Sequence, residues 1–344
     1  MAKIKSILNP ELAEAQRLKK QNQVLNQNVK KLLEERGKHL SFFEDLKSVI
    51  PPTTPYTDQP ITVTDEEGSE FAAVVLISDW QIGEVVNKEE MCGWGVYNHK
   101  IAEKRVFLLA EKLIGWVDMH RKAGHIINEL HVLSIGDLIS GNIHYELEVT
   151  NEFPVTIAVE KAGELFAEFI RKLAPHFPKI KVWELSADNH GRLTVKNQFK
   201  QGGLNNYSRL VHTIANARLS EHKNVEIMVG EGMNLLCNIQ GVNFLTTHGH
   251  QVKGQLGIPF YGFLKLKAKE AIRRLGLSGK SFDYIAIGHW HVPAILENIL
   301  VNGNLVGSTE MDNALGRNAA PSQVSFMVNP RKKMLFGWCA WDLS

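Results

Sequence analysis

Three segments that predict strands limit what this chain can fold into more than any other feature of its sequence. They occupy residues 71–78, 130–135 and 180–186. The first is a continuous apolar run, which is typical of a strand buried on both faces, and the others predict a second buried strand and a third strand. The segments between them, residues 101–122 and 159–173, repeat their apolar residues with a helical period. Strands that alternate with helices in this way predict parallel β-α-β units with right-handed crossovers.

The second half of the chain has a different pattern, in which short predicted strands outnumber helices. Residues 225–229, 235–239 and 242–247 are separated by glycine-rich turns and predict an antiparallel meander. A basic helical segment at residues 260–275 then precedes an apolar run that ends at Gly288. Further short strands are predicted at residues 295–301, 304–307, 323–328 and 334–341. Two sheets packed face to face, with helices on their outer sides, would account for both halves.

Residue types that bind metal ions follow five of the predicted strands. In chain order they are Asp79 with Gln81, Asp137, Asn189 with His190, His248, and His289 with His291. Each one taken alone fits a polar turn or a cap, because Asp and Asn are common turn residues. Their recurrence at five strand ends instead predicts a mixed oxygen and nitrogen site that holds two metal ions, with one carboxylate bridging them. For the neighbouring His248 and His250, we predict that His248 is the ligand and that His250 acts behind it or on the substrate.

The overall composition is that of an ordinary soluble globular chain. The net charge is only +2, so global charge predicts neither a nucleic-acid nor a membrane partner. The three cysteines are far apart and form no CxxC pair, which fits a reducing cytoplasm. No apolar run approaches the roughly 20 residues that a membrane span needs, and the polar N-terminus is unlike a signal peptide. We therefore predict a cytoplasmic protein.

Residues 1–50 are predicted to form a helical arm. Asn9 and Pro10 are a helix-start signal, and a heptad seam follows them. One seam position carries Ala15, Asn22, Val29, Arg36 and Phe43, and the other carries Leu18, Leu25, Leu32, His39 and Leu46. This seam predicts a coiled coil through which two copies form a homodimer, with a helix packed on its own domain as the alternative. A proline-rich linker at residues 51–68 separates the arm from a single domain at residues 69–344.

The residues that follow the five strands also carry a family resemblance. Asp79-Trp80-Gln81, Gly136-Asp137, Asn189-His190-Gly191-Arg192, His248 and Gly288-His289-Trp290-His291 occur in the order of the motifs of the calcineurin-like metallophosphoesterase superfamily. The similarity spans roughly residues 74–308, and the turn at Gly307-Ser308 resembles one in nuclease-like members such as repair exonucleases. The resemblance implies a four-layer αββα sandwich of two mixed sheets and a dinuclear metal-dependent phosphoesterase.

The resemblance further implies a role for each site residue. The ligands would be Asp79 and His291 for the first metal ion, Asn189, His248 and His289 for the second, and Asp137 as the bridge between them. His190 would protonate the leaving oxygen or steady the phosphate. The implied cofactors are two divalent ions, manganese first, with iron, zinc or magnesium as alternatives. Such a pair activates a hydroxide for attack on the phosphate.

Two positions depart from the pattern of the family. Gln81 stands where a histidine is usual, and an amide oxygen is a poorer ligand than an imidazole for zinc-like ions. We expect Gln81 to weaken the first metal site, to shift its preference toward manganese or magnesium, or to leave ligation to its neighbours. Ala187-Asp188 stands where a glycine usually precedes the Asn-His pair, and we expect this change to be tolerated.

A basic segment between the last two motifs bears on the substrate. Its residues are Lys253, Lys265, Lys267, Lys269, Arg273, Arg274 and Lys280, with Glu270 as the acidic residue among them. Such a segment would hold a polynucleotide backbone, although a solvated helix face with balanced charges explains it as well. We therefore predict a DNA or RNA nuclease. The alternatives are a phosphomonoesterase or protein phosphatase, and a non-catalytic scaffold of the same fold.

Overall fold

The computed structural model describes residues 10–55, 71–194, 196, 199–254, 259–277, 279–314 and 318–344. Two compact units make up the chain, Met1–Pro51 and Pro52–Ser344. Asn9 and most of the predicted linker, residues 56–68, lie outside the described residues.

The N-terminal unit contains one long helix, α1 (Pro10–Val49). Three of the predicted seam residues, Leu18, Leu25 and Val29, are 54%, 58% and 45% exposed in the single chain. The side chains of other seam residues fall outside the description, namely those of Ala15, Leu32, Arg36, His39 and Phe43. An isolated helix draws little stability from exposed apolar side chains. The single chain does not show a partner for them, and pairing of this arm stays a prediction.

The second unit contains helices and strands in alternation. Its strands are β1 (Phe71–Ile77), β2 (Ile127–Ser134), β3 (Lys179–Leu185), β4 (Val225–Gly230), β5 (Asn234–Ile239), β6 (Val242–Thr247), β7 (Tyr284–Ile287), β8 (Ala294–Leu296), β9 (Ile299–Val301), β10 (Ser322–Asn329) and β11 (Met334–Asp342). Its helices are α2 (His99–Lys122), α3 (Tyr145–Thr150), α4 (Val155–Leu173), α5 (Tyr207–Arg218), α6 (Phe260–Leu277) and α7 (Glu310–Ala314). Across the described residues, no helix combines the length and apolar character that a membrane span requires.

The strands form two mixed sheets. The first sheet has the order β11-β10-β1-β2-β3-β4, and the second has the order β5-β6-β7-β9-β8. In the first sheet β1 to β4 are parallel, and β10 and β11 extend it beyond β1 with antiparallel pairing. In the second sheet β6, β7 and β9 are parallel, and the edge strands β5 and β8 pair antiparallel.

Side chains from both sheets share one buried cluster, so the sheets pack face to face. Leu76 of β1 and Phe326 of β10 meet Phe244 of β6 in this cluster. A second buried cluster lies on the other face of the second sheet, where Phe263 of α6 packs with Ile285 of β7. Helix α6 therefore covers that outer face.

Helices α2, α4 and α5 pack together and form the opposite outer layer. Phe166 of α4 contacts Trp80, which follows β1, with ring centroids 5.8 Å apart. His212 of α5 lies 2.9 Å from the hydroxyl of Ser134 on β2. The predicted architecture of two mixed sheets between helices is therefore confirmed.

Three segments differ from the sequence-based predictions. The prediction of a three-stranded antiparallel meander was wrong for β4, which is the fourth parallel strand of the first sheet. Residues 304–307 form a turn and not a strand, because the backbone N–H of Gly307 donates to Oδ1 of Asn304 at 2.5 Å. The predicted strand at residues 295–301 is a tight pair, β8 and β9.

Candidate metal centre

The predicted site residues follow the carboxyl ends of β1, β2, β3, β6 and β7, which meet where the two sheets adjoin. Backbone hydrogen bonds tie these ends together. The N–H of Asp79 donates to the carbonyl of Gly136 at 3.1 Å, and the N–H of His289 donates to the Asp79 carboxylate at 3.0 Å. The N–H of His190 donates to Oδ1 of Asp137, also at 3.0 Å. Residues far apart in sequence therefore form one site.

Several of these residues have a positive φ angle, a backbone conformation that residues other than glycine rarely adopt. The φ angles are 55° at Asp79, 47° at Gln81, 52° at Asp137, 68° at His289 and 62° at His291. Each such residue costs about 1–3 kcal/mol and persists only where the surrounding structure enforces it. Strain of this kind concentrates at functional sites, so the turns themselves point to function.

Two glycines make room for the site. Gly136 has a φ of +102°, and a Cβ there would lie 2.7 Å from Cβ of Asp188 and 2.9 Å from Nδ1 of His248. A Cβ at Gly288 would lie 2.9 Å from Oδ2 of Asp79. A glycine is therefore required at position 288 so that the backbone can approach the Asp79 carboxylate closely. The left-handed φ angle of the turn after β7 belongs to His289 and not to Gly288.

Four buried ligand-type atoms at the site have no hydrogen-bond partner among the described residues. They are Oδ2 of Asp137, Oδ1 of Asn189, Nε2 of His248 and Nδ1 of His289. Buried polar atoms left without partners are rare and costly. Ligand atoms of Asp137, His248 and His289 all lie within 4.8 Å of one another, so a single cation could satisfy all three. The set fits a divalent metal ion.

The contact between Asp137 and His248 supports this assignment. Oδ2 of Asp137 lies 2.8 Å from Nε2 of His248, the distance of an ion pair, and neither atom has another hydrogen-bond partner among the described residues. The other ring nitrogen, Nδ1, lies 2.9 Å from the carbonyl of Ile135 and donates to it. That bond fixes the ring and leaves Nε2 as the ligand atom, which is the usual arrangement behind a metal-binding histidine.

Asp79 and His291 form the other side of the site. Nε2 of His291 lies 3.5 Å from Oδ1 of Asp79, and Asp79 is fully buried. Burial lowers the pKa of His291, but the Asp79 carboxylate outweighs it, so the net shift is upward. Burial likewise opposes ionisation of Asp79, yet His291 and His248 hold its pKa below the usual value. A carboxylate and an imidazole are thus paired where the first metal ion is predicted.

The charges of the site favour a protonated His248 when no cation is bound. Burial opposes charge on His248, but Asp137 raises its pKa to about 10. Burial and the neighbouring His248 lower the pKa of His289 to about 3. Burial would raise the pKa of Asp137, but His248 and His190 lower it strongly. A cation that binds here must displace the proton of His248, because a ligating imidazole is neutral.

His190 stands at the mouth of the site. Its Nδ1 lies 2.5 Å from the carbonyl of Ser140 and donates to it, so Nε2 faces inward, 3.9 Å from Oδ2 of Asp137. Its side chain is 15% exposed, which leaves it accessible to a substrate. Gln81 lies against it, with Nε2 of the amide 3.5 Å from Nε2 of the imidazole. The structure therefore places Gln81 beside His190, and its role as a metal ligand stays a prediction.

The buried carboxylate of Asp188 was missed as a functional residue by the sequence analysis. It accepts hydrogen bonds from the backbone N–H of Asp137 at 3.0 Å and of Gly191 at 2.8 Å. It also accepts from the hydroxyl of Ser208 at 2.5 Å. Asp188 therefore positions both Asp137 and the turn that carries His190, so its departure from the family pattern has a structural role.

The predicted basic segment is less available than its sequence implies. Lys267 is paired with Glu297 at 2.6 Å, and Glu270 lies 3.5 and 3.6 Å from Arg273 and Arg274.

His250 lies beside the site, with its ring centroid 5.7 Å from that of His248. Burial lowers the pKa of His250 to about 4, so it is a neutral neighbour of His248.

Comparisons with known proteins give only distant similarities. No family model and no curated protein matches the sequence. Among solved structures, the chain is similar to a novel archaeal phosphodiesterase at 10% identity and a TM-score of 0.32, over 78% of this chain and 99% of that one. It is also similar to wild-type Vps29 from Entamoeba histolytica in complex with zinc, at 13% identity and a TM-score of 0.28, over 79% and 99% of the two chains. Similarities this weak carry no argument about function.

Proposed function

We propose that this chain is a metal-dependent phosphoesterase that hydrolyses phosphodiester bonds. The observation that carries the proposal is the set of buried ligand atoms on Asp137, Asn189, His248 and His289, which lack hydrogen-bond partners among the described residues. Carboxylate, amide and imidazole together suit borderline divalent ions such as manganese, iron or zinc. We propose that these residues hold one ion and that Asp79 and His291 hold a second, with Asp137 shared between them.

Bound divalent ions would supply charge to neutralise the phosphate oxygens and would make water nucleophilic at neutral pH. The side chains of the protein supply position and protons. Asp188 fixes the backbone of Asp137, and Ile135 fixes the ring of His248. His190 keeps one proton on Nδ1 against Ser140, so Nε2 is the atom that would carry a proton to the leaving oxygen.

Within this class we propose a nuclease that acts on DNA or RNA and uses manganese. Lys253, Lys265 and Lys269 are exposed and would contact the phosphates of a polynucleotide. The turn at Gly307-Ser308, which resembles that of nuclease-like family members, is held by a bond from the N–H of Ala319 to Oγ of Ser308 at 2.9 Å. The three free cysteines support a reducing cytoplasm as its location.

One observation favours a second candidate, a non-catalytic scaffold of the same fold. Gln81 is the position where a histidine is usual, and its amide contacts His190. A phosphomonoesterase remains the alternative enzyme, because the same ligand set can act on a monoester.

The test compares substrates on the manganese-loaded protein. Single-stranded DNA, double-stranded DNA, RNA, bis(p-nitrophenyl) phosphate and p-nitrophenyl phosphate are each offered. We expect cleavage of the diesters, reduced at least about a hundredfold in His190→Ala and abolished in Asp137→Ala. His176→Ala is the matched control, because His176 is half-buried and precedes β3 whereas His190 follows it.

Other outcomes select the alternatives. Turnover of the monoester without cleavage of nucleic acid would favour the phosphatase. Absence of turnover with manganese, iron, zinc and magnesium, together with a stable complex with another protein, would favour the scaffold.

A further inference from the structure

A cleft of about 500 Å³ opens beside the metal centre. It lies between the start of α6, the turn after β7 and helix α7. His190, His289 and His291 are among its lining residues, so whatever occupies it lies next to the proposed metal centre. Its volume is within the roughly 300–1,000 Å³ of sites that bind small organic ligands.

The walls of this cleft are mainly apolar. Phe260, Val292 and Met311 line it and are 48%, 52% and 62% exposed. Behind them Trp290 packs edge-to-face on Phe263 with ring centroids 5.8 Å apart, which holds the aromatic wall in place. Exposed apolar surface that is concentrated at a concave site usually marks a ligand. The metal centre and His190 account for the phosphate of a substrate, but they leave this wall without a role.

The aromatic side chains of the wall narrow the chemistry of the occupant. Phe260, Phe263 and Trp290 all line the cleft, and a planar heterocycle can stack on aromatic side chains, which an aliphatic chain cannot do. Asp312 and Asn318 also line it, but their oxygens already accept hydrogen bonds from Thr309 and Ser308.

We propose that the cleft binds the nucleobase attached to the phosphate group that the metal centre holds. The inference rests on the proposed phosphoesterase function and names its substrate class as nucleotide esters. Phe260 and Met311 are the specificity-determining residues, because they are exposed in the cleft and belong to helices that carry no metal ligand.

The test measures binding by calorimetry on the manganese-loaded full chain, with AMP and ribose 5-phosphate as probes. The two probes share the phosphate and the sugar and differ in the base. We expect AMP to bind at least about tenfold more tightly than ribose 5-phosphate, the usual contribution of one stacked base. Phe260→Ala and Met311→Ala should each weaken AMP several-fold and leave ribose 5-phosphate unchanged.

Matched controls sit on the same kinds of surface outside the cleft. Tyr261→Ala removes the neighbouring exposed aromatic residue of α6, and Met119→Ala removes an exposed methionine of α2. Neither should change the binding of AMP. Equal affinities for the two probes, undetectable binding of AMP, or cleft variants that behave like the controls would overturn the proposal.

Binding and turnover separate this inference from the proposed function. A protein that prefers AMP but hydrolyses no ester would keep the cleft assignment and refute the phosphoesterase. A protein that hydrolyses bis(p-nitrophenyl) phosphate but shows no preference for the base would do the reverse.

Discussion

The buried ring of His212 makes the free energy of unfolding depend on pH. The ring lies buried between the hydroxyls of Ser134 and Ser186, at 2.9 and 3.0 Å. Burial, with a smaller contribution from Arg209, lowers its pKa to about 3, whereas an unfolded histidine has a pKa of about 6.5. As the pH falls below 6.5, the unfolded chain takes up a proton that the folded chain excludes. Stability is therefore fully present above about pH 6.5 and is lost between about pH 6.5 and 3.

The magnitude follows from the two pKa values. Between pH 7 and pH 5 this single group should lower the free energy of unfolding by about 2 kcal/mol. We propose His212→Gln as the perturbation, because glutamine keeps one donor and one acceptor but does not titrate. At pH 7 the variant should be less stable by about 1–2 kcal/mol through imperfect hydrogen bonds and packing. By pH 5 the wild type should have lost most or all of that advantage.

The assay is urea unfolding followed by tryptophan fluorescence at pH 7, 6 and 5, with a chelator present throughout. Other histidines with lowered pKa values, such as His131 and His250, titrate equally in both proteins and cancel in the difference. A difference between wild type and His212→Gln that stays constant across this range would refute the reasoning.

Three further predictions concern the site and the arm. Asp188→Ala leaves the backbone N–H groups of Asp137 and Gly191 without partners and should cost about 3 kcal/mol in chemical denaturation. A loss as small as that of Asp118→Ala, at a half-buried residue of α2, would contradict its positioning role. Gln81→His should tighten zinc binding in a competition titration, and unchanged affinity would mean that position 81 does not face the metal. Removal of residues 1–50 should halve the mass in solution if the arm pairs through Leu25 and its neighbours, and an unchanged mass would rule out that pairing.

The sequence predicted the central strands of the first sheet better than its edge. The mainly apolar segments mark β1, β2 and β3 because these central strands are largely buried, and the residues predicted to form the site follow the ends of these strands. β4 lies at the edge of its sheet, and its first four residues alternate between half-buried and exposed. That alternation is equally typical of an antiparallel hairpin, so the parallel pairing with β3 could not be read from it.

Other features left no signal in the sequence. The apolar residues Leu305 and Val306 predicted a strand, but Asn304 closes a turn around them with its side chain, and both are buried without pairing in a sheet. Asp188 is one of many acidic residues in loops, and only the folded chain shows which backbone groups it holds. The cleft wall is likewise assembled from distant elements, because Phe260 and Met311 are 51 positions apart by their numbers.

Metal uptake measures whether the chain holds a pair of divalent ions, on which the proposed function depends. The protein is saturated with manganese, freed of excess ion and analysed for metal per chain, alongside Asp137→Ala and the surface control Asp118→Ala. We expect close to two ions per chain in the wild type and the control, and loss of tight binding in Asp137→Ala, because the proposed site shares Asp137 between both ions. A wild-type chain that takes up no divalent metal, or an Asp137→Ala variant that retains the same amount, would contradict it.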